Sequence, residues 1–153
     1  MNKLDDYDKF KEYFMKFIDN KPNRFHPLVW INGEPKIGKN VSIGFFSEVN
    51  AKGSSIEIGD NCDIASFVSI NVADSHKRCI GLLDQIERNP IIIEKNVFVG
   101  SHCFIGGGVK IGHHSVIGTG VILIKKEIPP YSLVTGNPPT IKNGYYKDKI
   151  KNL

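Results

Sequence analysis

Residues 91–123 read IIIEKNVFVGSHCFIGGGVKIGHHSVIGTGVIL. Every sixth residue from Ile93 is aliphatic: Ile93, Val99, Ile105, Ile111, Ile117 and Leu123. A glycine follows each of the middle four, at Gly100, Gly106, Gly112 and Gly118. Two places before the aliphatic residue stand Ile91, Val97, Cys103, Val109, Ser115 and Val121. A spacing of six is neither the 3.6 of a helix nor the 2 of a half-buried strand. It predicts an all-β solenoid, a parallel β-helix whose short strands turn a corner at each repeat. One aliphatic side chain per repeat points inward and stacks on its counterpart a coil away. A single coil cannot cover its own apolar interior, so coils must stack. The glycine takes a corner where a Cβ is crowded.

The same phase extends backwards through Ile31, Ile37-Gly38, Ile43-Gly44 and Val49. It slips by three residues around Lys52-Gly53-Ser54, then resumes with Ile58-Gly59, Ile64-Ala65 and Ile70-Asn71. Between Ile70 and Ile93 it is absent. Residues 73–90 are therefore expected to form a loop thrown out from one corner, with a short helix at Ile80–Glu87. A long loop inside a regular solenoid usually carries function. After Leu123 the pattern fades, and Pro129-Pro130 and Pro138-Pro139 are expected to stop further coils. Upstream, Leu4, Tyr7, Phe10, Phe14, Phe17 and Ile18 share one face of a predicted amphipathic helix over 4–18. Asp5 and Asp6 suit its start, and Lys21-Pro22 ends it. Its aromatics are expected to cover the open end of the coils or to touch a neighbour. The chain divides into 1–30 (helix and lead-in), 31–142 (coils) and 143–153 (tail).

At 153 residues the chain is long enough for one domain with a real core. A net charge of +4 with scattered charges argues against nucleic-acid binding. The lysine-rich tail (Lys142, Lys147, Lys149, Lys151) fits a solvated surface or phosphate contacts. No apolar run reaches the ~18 residues of a membrane span. The polar, acidic start is unlike a signal peptide. Cys62, Cys79 and Cys103 show no metal-type spacing, and Cys62 and Cys103 fall on inward positions. A reducing cytoplasm is the expected compartment.

Four local features add to the repeat. His76 lies in the excursion, followed by a return to the coils at Pro90. Val99-Gly100-Ser101-His102 and Ile117-Gly118-Thr119-Gly120-Val121 form corners. Glu127-Ile128-Pro129-Pro130 precedes Gly136-Asn137-Pro138-Pro139. Together they resemble the left-handed β-helix acyltransferases of the hexapeptide-repeat superfamily, within it the sugar and xenobiotic O-acetyltransferases. The resemblance covers residues 31–142. It implies left-handed coils and a homotrimer with active sites between subunits. It also implies acetyl-CoA along the C-terminal coils, and a loop histidine facing the coenzyme held with a neighbour. No resident metal is implied.

Acetyl transfer to a hydroxyl needs a base near neutral pKa, which histidine supplies. His76 is the expected base, with Asp74 beside it to orient the ring or hold the acceptor. Gly100 and Ser101 match the place where a backbone N–H can meet the oxyanion and the coenzyme. Gly118 and Thr119 would contact the pantetheine arm. Lys125 or Lys126, and Lys142, would meet coenzyme phosphates. Asn50 and Asn71 are candidate acceptor contacts. The same fold hosts a zinc enzyme of the γ-carbonic anhydrase type, but no two histidines here are five apart. His113 and His114 are read as surface turn residues. The expected activity is transfer of acetyl from acetyl-CoA to a sugar hydroxyl. The alternatives are N-acetylation of an amino-sugar nucleotide, an antibiotic acceptor, or a non-catalytic trimeric scaffold.

Overall fold

The computed structural model describes residues 3–17 and 23–150. The chain winds as a left-handed parallel β-helix whose three faces are sheets of five, five and six strands. The inward residues stack in register on each face. The first face carries Ile31, Val49, Ile70, Ile105 and Leu123. The second carries Ile37, Ile58, Ile93, Ile111 and Ile128. The third carries Ile43, Ile64, Val99, Ile117 and Val134. From Val49 upward every member of these files is buried, as the period of six requires.

Cys62 and Cys103 are buried free thiols whose Sγ–H groups donate to Glu94 O (3.1 Å) and Gly118 O (3.0 Å). Burial pushes both thiols up, which keeps them unreactive.

The coils do not stop at Pro129-Pro130 but do end at Pro138-Pro139, after which the strand Thr140–Lys142 returns antiparallel to Leu133–Thr135. The step from Leu123 to Ile128 is five residues rather than six, yet Ile128 and Val134 complete a fifth coil. The shortened step turns at Lys125, which takes φ 46°. Pro130 fits because Gly112 beneath it has no Cβ; one would lie 2.5 Å from Pro130 N. The carbonyl of Pro129 accepts the hydroxyls of Ser115 (3.2 Å) and Ser132 (2.6 Å), so this corner is satisfied without N–H donors from proline.

Two corners show columns of left-handed residues. One carries Asn40, Asn61, Asn96, His114 and Tyr131, with φ between 52° and 61°. Asparagine tolerates that region. The other carries Phe46, Phe67 and His102 at φ 60°, 61° and 60°, then Gly120 at 75°. A bulky side chain in that region costs about 1–3 kcal/mol.

The N-terminal helix, α1, spans Lys3–Phe17. Ile18 and Lys21-Pro22 lie outside the described residues. Phe10 and Phe17 are exposed and do not cover the coils; Phe25 of the lead-in packs against the core instead. Among the described residues no helix is long and apolar enough to cross a membrane.

Candidate active site

The excursion leaves the first face after the strand Ser69–Asn71. It forms a two-stranded antiparallel arm, Ala73–Asp74 against Glu87–Arg88. Between them, α2 spans His76–Cys79. The helix expected at 80–87 thus starts four residues earlier. It ends because Gly81 turns left-handed at φ 79°, with its N–H on Arg78 O at 3.2 Å.

The arm is tied to the coils at three points. Asn71 Oδ1 accepts Ala73 N–H (2.9 Å). Arg88 Nε donates to Lys52 O (3.0 Å), at the corner where the six-residue phase slips. Gly107 lies so close beneath that a Cβ there would stand 2.7 Å from Val72 O. Within the arm, Lys77 Nζ meets Glu87 Oε2 at 2.9 Å. The Lys77 hydrogen bond is the main reason Glu87 is held below the usual glutamate value.

This scaffold presents His76. Its Nδ1 is hydrogen-bonded to Asp74 Oδ1, which also accepts the His76 backbone N–H (3.2 Å). The side-chain bond to His76 is the main cause that holds the Asp74 carboxyl below its ordinary value. An ionised carboxylate only accepts, so Nδ1 carries the proton and Nε2 keeps its lone pair. The imidazole side chain is 61% exposed, so Nε2 can be approached. Beside it opens a cleft of about 690 Å³. Asn71, Asp74, His76 and Lys125 supply its polar groups, and Phe104 and Ile124 its apolar wall. Such a cleft can hold a hydroxyl against an oriented base, with a cation nearby.

Four of the residues expected at the site therefore meet: Asp74, His76, Asn71 and Lys125. Asn50 sits a coil below, where its Oδ1 accepts Asn32 Nδ2 (3.1 Å) and Lys52 N–H (3.3 Å). Lys126 does not line the cleft. Gly100, Ser101, Gly118 and Thr119 lie on another corner, which joins the third face to the first. There a Cβ on Gly100 would stand 2.7 Å from Thr119 N, and Gly120 N–H donates to Ser101 O (3.0 Å). Lys142 lies on the antiparallel strand Thr140–Lys142, its Nζ 5.7 Å from the Tyr145 ring centre. Sequence reading missed Phe104 and Ile124. The six-residue period identifies inward residues only, and these walls face outward.

At a corner His114 stacks on Tyr131 and His113 meets it edge-on, with ring centres 5.2 and 5.0 Å from it. Asn96 Nδ2 donates to His114 Nε2 (2.9 Å), so the His114 proton resides on Nδ1 and goes to His113 Nδ1 (2.9 Å). Burial, then the neighbouring His113, pushes His114 below the ordinary histidine value. A histidine depressed on folding binds protons more readily when unfolded. Its contribution to stability is therefore complete above the unfolded value and is lost as pH falls below it. Thermal unfolding from pH 7 to pH 5 should show a falling Tm. His114→Asn, which suits φ 56°, should flatten that fall; an unchanged slope would contradict the assignment. Among the described residues no group of three or more His, Cys, Asp or Glu side chains converges to hold a metal ion.

Comparison with known proteins bears on this geometry. The family model described as the hexapeptide repeat of succinyl-transferase matches residues 36–71 and 90–125, on either side of the excursion. The galactoside O-acetyltransferase of Escherichia coli (strain K12) is 34% identical over 130 residues, covering 72% of this chain and 61% of that protein. A 2,3,4,5-tetrahydropyridine-2,6-dicarboxylate N-succinyltransferase of Xylella fastidiosa (strain Temecula1 / ATCC 700964) is 28% identical, covering 71% of this chain and 40% of that protein. The chain thus spans less than two thirds of the length of these curated relatives. A solved galactoside acetyltransferase in complex with coenzyme A superposes with a TM-score of 0.57 at 26% identity, covering 97% of this chain and 86% of that one.

Proposed function

We propose, for a chain that belongs to the hexapeptide-repeat family of acyltransferases, that it moves an acetyl group from acetyl-CoA to a sugar hydroxyl with His76 as general base. The observation that carries this is the His76–Asp74 pair, oriented on an anchored arm over an open cleft. The similarity to a galactoside O-acetyltransferase supports the sugar acceptor.

In this reading His76 Nε2 takes the proton of the acceptor hydroxyl as its oxygen attacks the thioester carbonyl. Asp74 holds the ring and stabilises the imidazolium that forms. The C–S bond then breaks, the proton passes to the departing thiolate, and the ester and free coenzyme A leave. Coenzyme A would lie along the Gly100–Ser101 and Gly118–Thr119 corner. That corner and the arm of one chain lie on different edges of the prism. The reaction therefore needs the arm of one copy to meet the coenzyme corner of another, as a homotrimer provides. Lys126 and Lys142 remain the candidates for coenzyme phosphates. Lys125, beside His76, would meet the acyl group or the acceptor instead.

That lysine favours a second donor, succinyl-CoA, whose free carboxylate would pair with the ammonium group. Release of coenzyme A thiol should be followed with acetyl-CoA and succinyl-CoA against lactose, maltose and an amino-sugar nucleotide. Thiol release with acetyl-CoA and a hydroxyl acceptor is the expected result. Faster release with the amino sugar would replace the O-acetyl reading by N-acetylation. No release above hydrolysis with any pair would overturn acyl transfer.

A further inference from the structure

Helix α1 presents an aromatic face that the coils leave uncovered. Its fifteen residues hold five aromatics, and Tyr7, Phe10, Tyr13 and Phe17 are exposed, Phe17 by 79%. Phe10 and Phe14 stack with ring centres 5.9 Å apart, so the rings line up along the helix. Phe25 of the lead-in, and not these rings, packs against the core. An apolar face of this size on an otherwise charged helix marks a contact.

The spacing of the rings says what kind of contact. Tyr7, Phe10, Phe14 and Phe17 follow one another at intervals of three, four and three residues. That is the a/d alternation of a coiled-coil seam. Tyr13, at the g position beside it, widens the seam. The flanking charges say which way the partner runs. With Tyr7 at a, Asp6 is at g and Lys11 is at the next e. A parallel copy sets g of one helix beside that e of its neighbour, so Asp6 meets Lys11. An antiparallel copy sets g beside g and e beside e, and keeps the two apart. Among the described residues neither makes an ion pair within its own chain. The total charge argues against a lipid surface. Four acidic and four basic residues cancel on α1, whereas a helix lying on a membrane gathers Lys and Arg on its polar face.

Resting on the homotrimer of the acyl-transfer reading, we infer that three copies of α1 form a parallel three-stranded bundle on the three-fold axis. Tyr7, Phe10, Phe14 and Phe17 make its core layers. A helix of this length is marginal alone. The coils of a trimer hold three of them together at an effective concentration of order millimolar. Helices related by a three-fold axis are parallel and in register by symmetry. The four seam rings of three chains, at ~150–250 Å² each, bury on the order of 2,000 Å², the area of a stable interface. The bundle thus fastens the copies together away from the His76 arm and secures the assembly that the active sites need.

Disulfide trapping in the full chain tests this. Cys62 and Cys103 are buried, and the exposed Cys79 is replaced by serine. On that background Phe10→Cys and, separately, Phe17→Cys put a thiol in the seam, and Glu12→Cys puts one on the opposite side of the helix. Under diamide both seam variants should form linked dimers about 10-fold faster than Glu12→Cys. Asp6→Lys should slow the trapping of Phe10→Cys about 3-fold, and adding Lys11→Asp should restore it. Sedimentation of the parent gives the assembly state, and thiol release is followed alongside. A trimer whose seam variants link no faster than Glu12→Cys overturns the bundle and leaves acyl transfer standing. So does sedimentation of the parent with phosphatidylglycerol vesicles without selective trapping, since the face then meets lipid. Selective trapping in a trimer that releases no thiol overturns acyl transfer and supports the bundle. A monomer overturns the bundle together with the trimer on which it rests.

Discussion

Replacing His76 by alanine is expected to lower kcat by about 10²–10⁴-fold while coenzyme A binds as before. The imidazole contributes only in the transition state, where the acceptor proton moves, so its loss should appear in kcat rather than in donor affinity. The fold should tolerate the change. The side chain is mostly exposed, among the described residues its side-chain partner is Asp74, and the arm is anchored through Asn71, Arg88 and Gly107 rather than through the ring. Single-turnover thiol release and calorimetry on the variant measure the two quantities. Turnover within a few-fold of the parent would remove His76 from the mechanism.

The second large effect falls on stability. Ile105→Ala should destabilise the chain by about 2–5 kcal/mol. Ile105 is fully buried, with Ile70 below it and Leu123 above it on the first face. Each inward residue of the middle coils is stacked on two others, so a void in one layer cannot be filled by sliding another coil. The neighbouring Gly106-Gly107 corner seats the arm. Urea unfolding should therefore show a lowered midpoint, and activity should decline at temperatures where the parent is stable. A loss under about 1 kcal/mol would mean that the coils repack freely, contrary to the register observed.

The inward files were legible because a coil imposes one residue per face, and an aliphatic side chain is the cheapest way to fill it. Ile31 to Leu123 could be read on that ground alone. The fifth coil was not, because the five-residue step to Ile128 breaks the count at Lys125, where the turn is tightened. The arm was visible only as a gap in the period. Its strands are two residues each, too short for alternation to show. Its helix begins at His76 rather than Ile80 because Gly81 ends it, and that single placement brings the imidazole to Asp74. Outward residues carry no period. Phe104 could be found only once the register had placed it.

The central claim is that an imidazole on the excursion of one copy reaches the thioester held by another. The direct measurement is a crystal structure with coenzyme A, read as the distance from His76 Nε2 to the coenzyme sulfur. An acceptor oxygen must fit between the base and the thioester carbon, so the account predicts a separation of roughly 6 Å, with the sulfur bound by a second chain. A sulfur more than about 10 Å from every His76, or a coenzyme bound wholly within one chain away from the arm, would contradict it.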